Sequence, residues 1–143
     1  MAYTYTTLKT AIQDYVQSTE TTFVNQLPRF ILNAEERILK ECQLDVFRKS
    51  SQGLASSGNQ YLSKPSDFLS QNSLSVIKDS AKEFLLYKQA TALQDYTPNP
   101  ATTGTPLYYA DWDEATFLLA PTPDTAFTME LHYFYRPQSI TLS

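Results

Sequence analysis

The last third of the sequence, residues 104–137, limits the possible folds most, because its apolar residues follow the periods of β-strands. Residues 116–120 are continuously apolar after Thr116, which is typical of a strand buried on both faces. Residues 127–135 alternate, with one side carrying Phe127, Met129, Leu131, Tyr133 and Tyr135, and the other Thr128, Glu130, His132 and Phe134. We predict that residues 121–124 join these two strands as a hairpin.

The N-terminal third has helical periodicity instead. Apolar side chains share one face of a predicted helix over residues 7–17, with Thr6 or Thr7 as its N-cap. A second helix is predicted to begin at Pro28, since proline is tolerated in a first turn. Its apolar stripe is predicted to consist of Ile31, Ala34, Ile38 and Cys42, with Phe30 and Leu27 beside it.

Two local contacts are expected around this second helix. Phe23 and Val24 are expected to form a short turn that packs against its start. Glu36 and Lys40 are four residues apart with the acid first, the order that favours an ion pair.

The middle of the chain predicts short elements separated by turns. Alternation over residues 73–77 predicts a strand, residues 56–59 and 78–80 predict turns, and residues 88–96 predict a helix. Residues 83–87 fit either a strand or the start of that helix. Residues 107–110 predict a strand, followed by a polar turn over 111–114.

These elements together predict an α+β fold: N-terminal helices over about residues 7–43, then mostly antiparallel strands and hairpins over about 45–137 with one interposed helix. The length of 143 residues is enough for one hydrophobic core, so we expect a single domain over residues 1–143.

Charge and cysteine content exclude several classes of protein. The net charge is −4 and the basic residues are scattered, so tight binding to phosphates is not expected. Cys42 is the single cysteine, which excludes an internal disulfide and suits a reducing compartment. No apolar run reaches the ~20 residues of a membrane span, and the N-terminus lacks a signal-peptide pattern. We expect a protein made and kept inside a cell, or assembled there into something larger.

The sequence predicts no catalytic residue, no cofactor and no metal site. His132 is interpreted as a half-exposed strand residue, and Cys42 as a buried structural thiol. Asp111, Asp113 and Glu114 are the densest acidic group, but Trp112 interrupts them and no glycine supplies a calcium-loop turn. The three glycines are too few for a phosphate-binding loop.

Aromatic residues point to protein contact instead, since they make up 13% of the chain, with ten tyrosines. Two interpretations of the tyrosines stay open: surface that another protein covers, or filling of a β core. Trp112 allows the same choice, between an exposed interface anchor and a cap on the end of the sheet.

Several motifs in this order resemble the head-to-tail connector proteins, also called adaptor or neck proteins, of podoviruses, cyanophages and related tailed phages. The motifs are PRFI (28–31), AEERI (34–38), PSDFL (65–69), GTP (104–106), YADWD (109–113), LAPTPD (119–124) and ELHYFYRP (130–137). Such proteins usually continue past the last motif into further helices, whereas this sequence ends at Ser143. A short family member and a missing helical tail both fit that difference.

The resemblance implies a virion structural protein without enzymatic activity, made in the host cytoplasm and located at the head-tail junction. Its partners would be the portal protein, tail or neck proteins, and sister copies in a ring, commonly of twelve. Genome DNA would pass through the ring without sequence-specific binding, and an acidic lining suits that passage. An alternative from the residues alone is a small β-rich module that binds a carbohydrate or other ligand, with Trp112 and the tyrosines as a stacking platform.

Overall fold

The computed structural model describes residues 3–42 and 44–142, which form two compact units. The helical unit comprises the described residues up to Asp45 and those from Arg136 onward. The β unit comprises Val46–Tyr135. The fold class is α+β, as the sequence predicts. That residues 1–143 act as one domain stays a prediction.

The first helix, α1, spans Tyr5–Val16 and begins with a reciprocal pair of threonines. The Thr7 N–H donates to Thr4 Oγ1 at 3.3 Å, and the Thr4 N–H donates to Thr7 Oγ1 at 2.8 Å. Each side chain satisfies an N–H that the first helical turn leaves without a partner. The predicted cap at Thr6 or Thr7 is therefore wrong, because Thr7 completes the cap from inside the helix.

The second helix, α2, spans Thr21–Glu41 and contains Pro28 in its interior. The predicted start at Pro28 and the predicted turn at Phe23 and Val24 are therefore wrong. A proline removes one backbone hydrogen bond from a helix. Leu27, directly before it, is buried at 1% exposure, so packing on that side favours continuation of the helix through Pro28.

The buried face of α2 differs from the predicted apolar stripe. Leu27, Ile31 and Leu39 are buried, whereas Ala34, Ile38 and Cys42 are exposed. The expectation of a buried Cys42 thiol is wrong, because this residue is the C-cap and follows the last helical turn. Apolar residues lie on several sides of α2, so periodicity alone does not determine which side packs.

The C-terminal segment is bonded to α2 within the helical unit. It includes a 3-10 turn at Ile140–Leu142. The Ile140 N–H donates to Glu35 Oε1 at 3.0 Å, and Arg136 Nη1 lies 3.2 Å from Glu36 Oε1. The carboxylate of Glu36, predicted to pair with Lys40, thus bonds a residue a hundred positions away.

The β unit contains two four-stranded sheets, a short two-stranded pair and one helix. Sheet A consists of β1 (Arg48–Ala55), β3 (Phe68–Lys78), β4 (Ala81–Phe84) and β10 (Phe127–Tyr135), in the order β1-β10-β3-β4. Sheet B consists of β2 (Tyr61–Ser63), β5 (Leu86–Tyr87), β7 (Tyr108–Asp111) and β8 (Thr116–Ala120), in the order β2-β8-β7-β5. The pair is β6 (Thr103–Gly104) with β9 (Thr122–Pro123), and the helix is α3 (Ala90–Tyr96). All pairings are antiparallel except β5 with β7 and β6 with β9.

The main core fills the space between the two sheets. Its buried members are Ala55, Leu62, Leu74, Val76, Leu85, Tyr109, Phe117, Leu119, Phe127, Met129, Leu131 and Tyr133. On the opposite face of sheet B, Leu93 of α3 packs with Ala110, Leu118 and Ala120 in a second, smaller cluster. Strand β8 is thus buried on both faces, and β10 turns its predicted apolar side inward. Both predictions are confirmed.

The predicted hairpin between residues 116–120 and 127–135 is wrong. Strand β8 pairs with β7 and β2 in sheet B, whereas β10 pairs with β1 and β3 in sheet A. Each strand is central in its own sheet and has partners along both edges, so the connection between them crosses from one sheet to the other. The true hairpin here is β7–β8.

Other local predictions vary in outcome. The strand over 73–77 lies inside β3, and residues 83–87 belong to β4 and β5 rather than to a helix. The turn over 78–80 is confirmed by positive φ at Asp79 and Ser80. In the turn between β1 and β2, Gly58 has a φ of 73°, which glycine adopts without strain.

The core packing yields a test of stability. Phe117 is fully buried, with its ring centroid 5.5 Å from that of Phe68 and 5.6 Å from that of Tyr109. We expect Phe117→Ala to lower the free energy of unfolding by about 3–5 kcal/mol, since it leaves a cavity. Phe84→Ala, at a ring that is 63% exposed, is the control and should change it by about 0.5 kcal/mol or less. Chemical denaturation followed by circular dichroism measures both, and equal losses would contradict this account of the core.

Candidate functional site

The turn between β7 and β8 presents Trp112 at the surface. Its side chain is 42% exposed, and its ring centroid lies 5.8 Å from that of Tyr61 on the neighbouring strand β2. The ring is thus partly covered and partly exposed, and the choice between an interface anchor and a cap on the end of the sheet stays a prediction. A large exposed ring next to a second one is a plausible geometry for an anchor in a protein interface.

The acidic residues of this turn are used within the fold. Asp113 Oδ1 accepts the N–H groups of Ala115 at 2.8 Å and Thr116 at 2.7 Å. The Ala115 hydrogen bond is the main cause that lowers the pKa of Asp113. Asp111 accepts from the Tyr87 hydroxyl at 3.1 Å. Across residues 3–42 and 44–142, no three His, Cys, Asp or Glu side chains are grouped to hold a metal.

Lys64 fixes the base of the same turn. Its side chain is only 6% exposed, and its Nζ lies 2.7 Å from Asp111 Oδ1. The Nζ also donates to the Asp113 carbonyl at 2.8 Å and lies 4.6 Å from the ring centroid of Phe117. Sequence reasoning missed this residue, because a lone lysine before a proline carries no periodic or spacing signal. Its bonds connect the chain just after β2 to both residues that flank Trp112.

A second polar cluster lies on the outer face of sheet A, around the buried carboxylate of Glu130. Lys82 Nζ donates to Glu130 Oε1 at 2.6 Å, and Gln52 Nε2 donates to Oε2 at 3.1 Å. His132 Nε2 lies 3.0 Å from Oε1. The Lys82 hydrogen bond, followed by that of Gln52, lowers the pKa of Glu130 to about 2. The cluster bonds side chains of three strands and braces the sheet.

The structure places the single histidine as the sequence predicts. The His132 side chain is 45% exposed, on the same face of β10 as Glu130. Gln52 and Lys82 reach Glu130 from other strands, and sequence reasoning missed them because only the strand register brings them there. Cys42 lies in the other unit and is exposed.

Large apolar side chains are exposed in both units. In the helical unit they include Tyr15, Phe30 and Ile38, and in the β unit Leu54, Phe84, Leu86, Tyr96 and Trp112. Tyr109 and Tyr133 are core residues, which confirms that tyrosines fill the β core, whereas Tyr15 is 91% exposed. That another protein covers the exposed tyrosines stays a prediction.

The β unit is thus a sandwich braced by polar side chains, with the rings of Tyr61 and Trp112 partly exposed at its surface. The family model for the SU10 adaptor protein matches residues 3–143, so the chain belongs to that family of phage head-tail adaptors. No curated protein matches the chain. It is therefore a structural adaptor protein of a tailed phage, a family associated in the virion with portal and with tail or neck proteins. Among the described residues, no helix is both long and apolar enough to cross a membrane.

The Glu130 cluster predicts an acid dependence of stability. The pKa of Glu130 in the fold, about 2, lies below its ordinary value of 4.5. Its stabilisation is therefore complete above pH 4.5 and is lost as the pH falls towards 2. We expect Glu130→Gln to be less stable than the wild type at neutral pH and to lose less stability through this window.

Denaturation midpoints at a series of pH values measure that difference. Lys82→Gln removes the main cause of the lowered pKa and should flatten the profile in the same way. A Glu130→Gln profile parallel to that of the wild type would contradict this role.

Proposed function

We propose that copies of this chain form a closed ring beneath the portal, at the head-tail junction of the virion. The ring, of about twelve copies, continues the DNA channel and presents a platform to the next tail or neck protein. The chain is made in the host cytoplasm and acts in the virion by assembly, without catalysis and without a cofactor.

The observation that carries this proposal is the apolar surface that one copy leaves exposed. Leu54 is 72% exposed, Phe84 63% and Leu86 61%, and they lie on different edges of the β unit. A ring subunit uses two different surfaces, one towards each neighbour, and both must contain side chains that favour burial. Exposed apolar side chains at separate edges meet that requirement.

The charge supports a role as a conduit. The net charge of −4 favours weak contact with the DNA backbone, because a basic lining would bind the phosphates. The genome would pass through the channel without sequence-specific binding. A structure of the assembled ring would identify the downstream partner and the face that lines the channel.

Electron microscopy of the purified chain mixed with its portal tests the ring. We expect a ring of chain copies on the portal, with a central channel wide enough for a DNA duplex. Chain alone and portal alone are the controls. A chain that stays monomeric and ignores the portal, yet binds a carbohydrate through Tyr61 and Trp112, would favour a ligand-binding module.

Trp112 offers a test by mutation. We expect Trp112→Ala to weaken assembly by about 2 kcal/mol, if the ring is an interface anchor in a desolvated contact. The free energy of unfolding should change by about 1 kcal/mol or less, because Trp112 is 42% exposed and belongs to neither core cluster. Sedimentation of chain–portal mixtures measures assembly, and Trp112→Phe is the matched control that should retain most of it. Unchanged assembly of Trp112→Ala would give this side chain a passive role.

A further inference from the structure

The β unit is open along one edge. Strands β1 and β2 are the edge strands on this side of the two sheets, and a cleft of about 220 Å³ between them reaches the core. Ser51 and Gly53 of β1 line the cleft, together with the core residues Leu62, Leu74 and Met129. Small residues on the inner side of β1 therefore leave part of the sandwich uncovered.

Gly53 has no explanation within a single copy. It lies in the interior of β1, opposite Met129, and its φ is not positive. A Cβ placed on it would meet no atom within 4 Å. Glycine weakens a strand interior, and one of its recurring uses there is at a site that another backbone approaches closely.

The strand directions of sheet A allow a second copy to make that approach. Strands β1 and β4 are the two edges of the sheet, and each neighbouring pair across the sheet is antiparallel. Three antiparallel steps make β1 and β4 run in opposite directions. Strand β4 of another copy, laid along β1 so that the sheet continues, is therefore antiparallel to it.

We propose that β4 of one copy pairs with β1 of the next, so that sheet A continues from subunit to subunit. This inference rests on the proposed ring, and it names the contact that closes it. Because β1 and β4 are different surfaces of one chain, the contact is heterologous and repeats around a ring. It also covers the eight-residue edge of β1, which a lone copy exposes.

The faces of the sheet on which the side chains lie, and the charges of these side chains, fit this pairing. On β1, Lys49, Ser51 and Gly53 lie opposite core-facing residues of β10 and so face inward. On β4, Glu83 lies opposite the core residue Val76 and also faces inward. A continuous sheet places Glu83 over the cleft, on the same side as the ammonium of Lys49, which in its own copy pairs with Asp67 at 2.8 Å. Because Gly53 has no side chain, the cleft has room for Glu83 of the next copy.

Cysteine cross-linking in the chain–portal assembly tests the contact. In a Cys42→Ser background, Glu83→Cys is combined with Ser51→Cys, and in a parallel variant with Lys49→Cys to allow for the register. We expect oxidation of at least one combination to give a ladder at multiples of the 16.3 kDa chain mass. Within one copy the two edge strands are about 14 Å apart, three strand spacings, which is too far for a disulfide.

The matched control places the β1 cysteine on the opposite face, as Ser50→Cys with Glu83→Cys, and should give no ladder. Rings without a ladder in any same-face variant would overturn the inference and leave the ring itself standing. If the wild-type chain forms no ring on the portal, both the proposed ring and this contact are overturned. Cross-links from β1 to the portal instead would show that a partner strand occupies the edge, and would also overturn the inference.

A second pair of variants separates assembly from folding. Gly53→Val fills the cleft, so we expect the isolated chain to keep its unfolding midpoint and the assembly to lose its rings. Ser50→Val adds the same side chain to the outer face of β1 and should keep both. Normal rings from Gly53→Val would contradict the close approach at this glycine.

Discussion

The packing of β8 against β10 across the sandwich is the constraint on which the β unit depends. Each strand is central in its sheet, with neighbours along both edges, and their inward side chains form much of one core. Strands β3 and β7 are also central, so the edges are β1 and β4 in sheet A and β2 and β5 in sheet B. The exposed character of β1 and β4 follows from that division, as does the surface that assembly has to cover.

Sequence reasoning succeeded where the signal is local. The alternation of residues 127–135 gave the bounds and the inward face of β10, because a period of two depends only on neighbours in the chain. It failed on the pairing of β10 with β8, since two adjacent apolar strands in sequence are compatible with one sheet or with two. It also missed the partners of Glu130, which come from strands far away in the sequence.

The buried face of α2 is a second example of what local sequence patterns do not determine. Ile31 was placed correctly, but Ile38 and Leu39 are adjacent apolar residues, and periodicity alone does not determine which is buried. In the structure Leu39 is buried and Ile38 is half exposed. Sequence patterns predicted the class of element well, whereas the choice of face depends on what the helix meets.

The chain leaves the helical unit at Asp45 and returns to it at Arg136, so the β unit is an insertion. The contacts that close the helical unit join residues 100 and 105 positions apart, between Glu36 and Arg136 and between Glu35 and Ile140. All ten strands lie between those partners. The helical unit therefore closes only after Arg136 and Ile140 have been made, and its closure spans the whole β unit in sequence.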